Sequence, residues 1–236
     1  MSKYIISLII LIGVLQLGYT LPVQAATPTT STNALSAQLT LKPRQEEATA
    51  TDLAETAKII EIRLEKLELQ GSYQVNTSNG EIQITLSESQ DMPYIATIVT
   101  SLGHIEFVDG GAELPPLGET IQTGSTTDLE QGFYQHLFTS SQINTFLPPV
   151  SGDIFYQLML NHTASTNMSK FVATKPDNYI CMVLDKQVLN CSSMYYWSPD
   201  TLEILPNLSS NSTITLNDLA VFIHSGPLPM ALEIVE

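Results

Sequence analysis

Two stretches, Asn178–Asn190 (NYICMVLDKQVLN) and Ile214–Glu236 (ITLNDLAVFIHSGPLPMALEIVE), decide how the rest of the chain is read. In the first, Ile180, Met182 and Leu184 alternate with their neighbours toward Asp185-Lys186, and Val188 begins the return, which predicts a β-hairpin with a short turn at Asp185. In the second, Thr215 is placed to cap a helix, with Asp218 three residues on at the positive end of the helix dipole. Leu216, Leu219, Ala220, Phe222 and Ile223 then form the apolar stripe. Gly226 ends the helix, the prolines at 227 and 229 prevent its restart, and Met230–Val235 alternates as a last strand.

Working back toward the amino terminus, the same kinds of signal recur. Leu35, Ala37, Leu39 and Leu41 predict a first strand ending near Lys42. Asp52–Leu69 reads as an amphipathic helix, with Leu53, Ala57, Ile60, Leu64 and Leu67 on its inner face. Asp52 is expected at its N-cap, with Glu55 closing a capping box. Tyr73–Thr77 and Ile82–Leu86 flank Asn79-Gly80, a strong hairpin signal because both residues tolerate positive φ. Pro93 suits the first turn of a second helix carrying Ile95, Ile98, Val99 and Leu102, and Gly103 precedes a strand at His104–Val108. Strand, helix, hairpin, helix, strand is the β-α-β-β-α-β order of a ferredoxin-like sheet. Ile60, Leu64, Leu102, Phe107, Leu184 and Phe222 are expected to share one core beneath it.

The middle of the chain is less periodic. Asp109–Leu117 is rich in Gly and Pro and marks a boundary. Phe133–Phe138 and Ile154–Leu160 read as strands separated by the breakers Pro148-Pro149 and Ser151-Gly152, and Ser165–Ala173 as a short helix held by Phe171 and Val172.

Length and composition bound the function. The 236 residues suffice for one large or two small domains with real cores. The net charge of -15, from 24 acidic against nine basic residues, argues against nucleic acid or an anionic membrane surface as partner. Residues 1–25 read as a signal segment: Lys3, an apolar run from Tyr4 to Leu17, and Val23-Gln24-Ala25 as a small-residue cleavage pattern. Cleavage after Ala25 yields a secreted product; retention leaves an anchor as the sole membrane contact. An exported chain permits a disulfide between Cys181 and Cys191. A three-residue turn at Asp185–Gln187 places the two opposite each other, whereas a two-residue turn at Asp185-Lys186 sends them to opposite faces.

The search for chemistry returns little. The sequence lacks G-x-S-x-G, a Gly-rich phosphate loop and H-E-x-x-H. His104, His136, His162 and His224 are dispersed, and Glu106 and Asp109 are carboxylates at one strand end without an evident cleft. The aromatic run Tyr195-Tyr196-Trp197 suits core packing first, and binding of an apolar peptide or a sugar ring second. No catalytic residue, cofactor or metal is expected.

The motifs in their order resemble the large extracytoplasmic domain of the SecD family, an accessory subunit of the Sec translocon. The resemblance is carried by Ile60, Arg63, Leu64 and Leu67 (I-x-x-R-L-x-x-L), Ile105-Glu106-Phe107, Gly118–Thr123, Val183-Leu184-Asp185, and Ser225-Gly226-x-Leu228-Pro229. It implies an α+β fold: a ferredoxin-like base at 34–112 and 178–236, and an inserted head at 113–177 that contacts unfolded secretory polypeptide and moves as a unit. The function implied is that of a stand-alone, non-catalytic domain outside the cytoplasm, secreted or tethered to the outer side of the cytoplasmic membrane. It would bind unfolded secretory polypeptide or dock on Sec translocon components. The competing expectation is a secreted surface or scaffold protein that keeps the fold without a translocation role. Ser87-Glu88 stands where the family has Pro-Gly, Lys186 where it has Gly, and Asn190-Cys191-Ser192 where it has Ser-Ala-Pro. The sequence ends at Glu236, where the family's proton-conducting membrane bundle would begin, so no proton-driven motor is expected of this chain alone.

Overall fold

A computed structural model of the chain describes residues 37–45, 47–69, 71–87, 91–124, 132–150, 154–193, 197–198, 200–205, 208 and 212–235. The expected signal at 1–25, the start of the first strand at Leu35, and Tyr195 and Tyr196 lie outside them.

The first sheet grows from local signals. β1 (Ala37–Pro43) leads to α1 (Ala50–Lys66), then to the hairpin β2 (Tyr73–Ser78) and β3 (Glu81–Leu86), and to α2 (Met92–Thr100). Thr49, not Asp52, is the N-cap of α1: its hydroxyl accepts from Asp52 N at 3.1 Å while the Asp52 carboxylate accepts from Thr49 N at 3.0 Å. Asp52 is therefore the acid of the capping box rather than its cap. Ala57, Ile60 and Leu64 are buried as the spacing predicts, joined by Thr56 and Arg63. Asn79 and Gly80 take φ of 54° and 76°, the positive values that a two-residue hairpin turn requires. Asp91 caps α2 with Pro93 in its first turn, and Ile95, Ile98 and Val99 face inward.

The strand expected to complete this sheet does not join it. β4 (Ile105–Gly111) runs in a second sheet, and the place beside β1 is taken by β13 (Leu232–Val235), giving the antiparallel order β13-β1-β3-β2. All seven residues of β4 are buried, as an interior strand allows, whereas β13 leaves Glu233 and Ile234 exposed, as suits an edge.

The second sheet has the order β10-β9-β4-β6-β5, with β5 (Gln122–Gly124), β6 (Phe133–Thr139), β9 (Tyr179–Leu184) and β10 (Gln187–Ser192). It is mixed, because the short β5 pairs with β6 in parallel. The third sheet, β11-β12-β8-β7, is antiparallel and joins β7 (Ile143–Leu147) and β8 (Tyr156–Leu160) to β11 (Trp197–Ser198) and β12 (Thr201–Ile204). α3 (His162–Thr174) starts at Asn161, whose side chain accepts from Ala164 N, and buries Phe171 but only partly Val172. α4 (Leu216–Ser225) has the expected capping box between Thr215 and Asp218, with Leu216, Leu219, Val221 and Phe222 buried. Ala220 and Ile223, expected inside, are half-buried. Among the described residues the fold is thus α+β, with four helices and three sheets.

The apolar side chains form separate cores. Ile60 and Leu64 lie between the first sheet and its helices, with Leu102 packed against them. Phe107, Leu184 and Phe222 belong to a larger core between the other two sheets and α3 and α4. The six residues expected in one core divide in this way because β4 leaves the first sheet. Leu67 and Tyr94 touch both cores and mark where they meet.

Candidate functional site

The most deeply buried cation of the described residues is Arg63, on α1. Its guanidinium donates to the carbonyls of Ile98 (2.9 Å), Leu102 (2.9 Å), Ser101 and Gly226 (3.2 Å), and to the Ser225 hydroxyl (3.3 Å). It also lies 4.8 Å over the Phe222 ring. These acceptors are carbonyls at the C-terminal ends of α2 and α4, where partial negative charge gathers and no helical partner exists. Burial lowers the guanidinium pKa to about 10, against the opposing pull of Asp185, so Arg63 remains charged near neutrality.

Two further motif positions, Asp185 and Leu228, bond to the segment Leu102–His104. The Asp185 carboxylate accepts from Gly103 N (3.1 Å) and His104 N (2.8 Å), and Asp185 N returns a bond to the His104 carbonyl (3.0 Å). Leu228 N donates to the Leu102 carbonyl at 2.8 Å. Gly226 takes φ of 78° at the end of α4, which turns its carbonyl onto Arg63. Arg63, Asp185, Gly226 and Leu228 are therefore far apart in sequence and joined around Leu102–His104. Leu184 lies beneath this junction opposite Ile105, and Pro229 is exposed beyond it. Phe107 stacks on Phe138 at 4.4 Å between centroids, and Glu106 accepts from the Thr123 hydroxyl at 3.0 Å with His104 Nδ1 3.5 Å away. The bonds of Arg63 and Asp185 join α1, α2, α4, the residues before β4 and the β9–β10 turn.

Asp109, next on β4, is fully buried and accepts from Lys175 Nζ (2.6 Å), Asn178 Nδ2 (2.7 Å) and Gly111 N (2.9 Å). Burial works to raise its pKa, but these bonds and the Lys175 charge outweigh it and hold the carboxyl below its ordinary value. Glu106 and Asp109 thus have separate partners and do not act as a pair.

Cys181 and Cys191 are bonded. The turn between them is nevertheless the two-residue one, with Asp185 and Lys186 at φ of 49° and 72°. The register explains how: Val188 pairs with Val183, but Asn190 pairs with Met182, so Leu189 is an extra residue in β10. That bulge shifts the remaining pairs by one and sets Cys191 directly opposite Cys181, with Cα atoms 4.0 Å apart.

Where the two cores meet, the surface opens into a cleft of about 410 Å³. Leu67 and Glu68 at the end of α1, Tyr94 on α2, Phe146 on β7, and Asp218 and Val221 on α4 line it. The Tyr94 hydroxyl donates to the Asp218 carboxylate at its floor, and Asp218 also accepts from Thr215 N at 2.6 Å. Burial first, then the bond to Asp218 and the charges of Asp218 and Asp91, push the Tyr94 phenol well above its ordinary pKa. Beside it, the end of the β7–β8 hairpin holds a second recess of about 210 Å³ among Leu147, Pro148, Pro149, Val150, Phe155 and Gln157. In sequence this segment reads only as a chain break; the signal for more is the apolar run Phe146–Val150 interrupted by prolines in place of polar turn residues. Among the described residues no group of three His, Cys, Asp or Glu side chains is placed to hold a metal ion, and no helix is long and apolar enough to cross a membrane.

What this geometry defines is an α+β module with one buried arginine bonded to the ends of two helices and a cleft of mixed polar and apolar lining where its cores meet. Its fold is similar to that of SecDF periplasmic domains. A structure of a membrane component SecDF that enhances protein export matches 85% of this chain and 98% of its own length, with a TM-score of 0.58 and 14% identity. SecDF in a super-membrane-facing form matches 86% of this chain with a TM-score of 0.61 and 16% identity, and there the chain spans 30% of the SecDF length. At these identities the likeness is one of fold. No family model and no curated protein matches the sequence.

Proposed function

We propose that this chain is a non-catalytic, extracytoplasmic module of protein export that binds unfolded secretory polypeptide. The observation that carries the reading is the agreement in fold with a protein that enhances protein export, over 85% of this chain and 98% of that one. On this reading the sheet β13-β1-β3-β2 is a ferredoxin-like sheet whose fourth strand is β13 rather than β4. Residues 34–112 and 178–236 form the base. Residues 113–177, which bring the exposed β7–β8 end, form the head that meets polypeptide. The head is tied to the base through the pairing of β6 with β4 and of β8 with β12. The disulfide fits an oxidising compartment, and residues 1–25 are the export signal.

Two physical means of binding are available: main-chain pairing at an open edge such as β7, and burial of apolar side chains in the cleft beside it. A photo-crosslinking residue at position 150, in cells exporting a slow-folding secretory protein, tests the reading. Crosslinks to nascent secretory chains are the expected result. Their consistent absence, with the protein exported and folded, points instead to a scaffold that keeps the fold without translocation work. Mass spectrometry of the amino terminus distinguishes a product released after Ala25 from an anchored one.

A further inference from the structure

The two recesses described above share Pro148, and Phe146 and Leu147 are neighbours on the same edge strand. Three of the six large apolar side chains that are exposed among the described residues fall in this one hairpin end: Leu147 at 40%, Val150 at 74% and Ile154 at 59%. Large apolar groups collected in one place on a surface mark a site of contact. The charge of the adjoining cleft is not neutral. Glu68 and Asp218, the latter buried against Tyr94, line it and Asp91 lies within electrostatic reach of Tyr94, against Lys66 as the cation in the lining. The whole chain adds a background of -15.

We infer that the two recesses form one docking track for an extended polypeptide segment that is apolar at its centre and basic at its flank. The inference rests on the polypeptide-binding reading and adds to it a place and a chemistry. The apolar centre of the segment covers Leu147, Val150 and Ile154 and displaces water from the recess that Pro148 and Phe155 line. Its basic flank reaches the mouth of the cleft at Glu68. Acidic segments are repelled by the same groups, so the charge at the rim sorts sequences that the apolar track alone would not distinguish.

The test uses the purified full chain and fluorescent unstructured peptides with one apolar centre and Lys, Ser or Glu flanks, read by anisotropy. The Lys-flanked peptide is expected to bind about tenfold more tightly than the Glu-flanked one, with the difference shrinking when salt is raised to about 0.5 M. Val150→Asp, at an exposed position that leaves the fold intact, is expected to weaken all three peptides by about tenfold or more. Glu68→Lys is expected to narrow or invert the preference between Lys and Glu flanks. Equal binding of Lys and Glu flanks, or peptide binding indifferent to Val150→Asp, overturns the track and leaves polypeptide binding to some other surface of the chain. Failure of every peptide to bind removes both readings. If no peptide binds and Val150→Asp converts a dimer into a monomer in sedimentation, the face is an interface between copies, and the track is likewise overturned.

Discussion

A Cβ on Gly103 would lie 2.5 Å from Nη2 of Arg63, closer than a side chain tolerates, and 2.9 Å from Cδ1 of Phe222. The two residues are matched: Gly103 is bare so that the guanidinium can reach the carbonyls of Ser101 and Leu102 on one side and Gly226 on the other. With φ of 74°, Gly103 also holds a backbone conformation that suits glycine. Gly103 and Gly226 are thus held at one buried cation, with Asp185 and Leu228 bonded to the segment beside it.

Gly103→Ala and Arg63→Met are therefore expected to destabilise the chain, the second by roughly 3–5 kcal/mol, because the carbonyls now served by Arg63 lose their donor inside the protein. Urea unfolding followed by circular dichroism measures it. An unchanged midpoint for Arg63→Met would mean that water or backbone shifts serve those carbonyls equally well.

A second expectation concerns acid. The Asp109 carboxyl is held below its ordinary value of 3.8, so the stabilisation it contributes is fully present above that pH and is lost as pH falls through the lower folded value. Asp109→Asn should flatten this part of the acid limb when urea midpoints near pH 6 and pH 3 are compared. Lys175→Met should cost roughly 1–3 kcal/mol at neutral pH, less than a fully buried pair would, because Lys175 is 37% exposed and water screens part of its charge.

Local chemistry was the legible part of this fold. The Thr215–Asp218 capping box, the Asn79-Gly80 turn and the Ile60–Leu64 face depend on residues within a few positions of one another, and each stands where the sequence places it. The sheet to which β4 belongs was not legible, because a strand's partner is set by burial on both faces and by chain return from far away. The same holds for Arg63: as a position in I-x-x-R-L-x-x-L it stands out, but its acceptors are 35 to 163 residues distant. The cleft beside Tyr94 and Phe146 escaped for the same reason, since it is formed by four elements that no local pattern brings together.

The Leu189 bulge yields a prediction of its own. A two-residue turn with Leu189 paired in regular register would set Asn190, not Cys191, opposite Cys181. Leu189 stands outside the pairing, so deleting it leaves Val188, Asn190 and Cys191 opposite Val183, Met182 and Cys181, and the bridge is expected to persist with no titratable thiol, as in the parent. Replacing both cysteines by alanine keeps the register and should cost about 2–3 kcal/mol, the chain-entropy value for so short a loop. Gly110 responds to the same bridge: a Cβ there would lie 2.6 Å from Cys181 Sγ, so Gly110→Ala should destabilise the oxidised protein more than the alanine pair. Thiol counting under denaturing conditions and urea midpoints separate these outcomes.

The last prediction turns on Lys186. A two-residue hairpin turn of this hand asks both central residues for positive φ, and the structure holds Asp185 at 49° and Lys186 at 72°. Asp185 is compensated, because its carboxylate accepts the Gly103 and His104 amides, a tie that needs this turn geometry. Lys186 has no such return: a β-carbon in the left-handed region crowds the following carbonyl at a cost of roughly 1–2 kcal/mol. Its carbonyl accepts from Ile121 N at 2.8 Å, a backbone bond that glycine would keep. Lys186→Gly is therefore expected to stabilise the chain by about 0.5–1 kcal/mol, the relief being reduced by the greater freedom of glycine in the unfolded state. Asp185→Gly at the neighbouring position should do the opposite and destabilise, since it relieves the same strain but releases both amides. A destabilising Lys186→Gly, measured by urea unfolding against Asp185→Gly, would show that the lysine side chain contributes more than its backbone conformation costs.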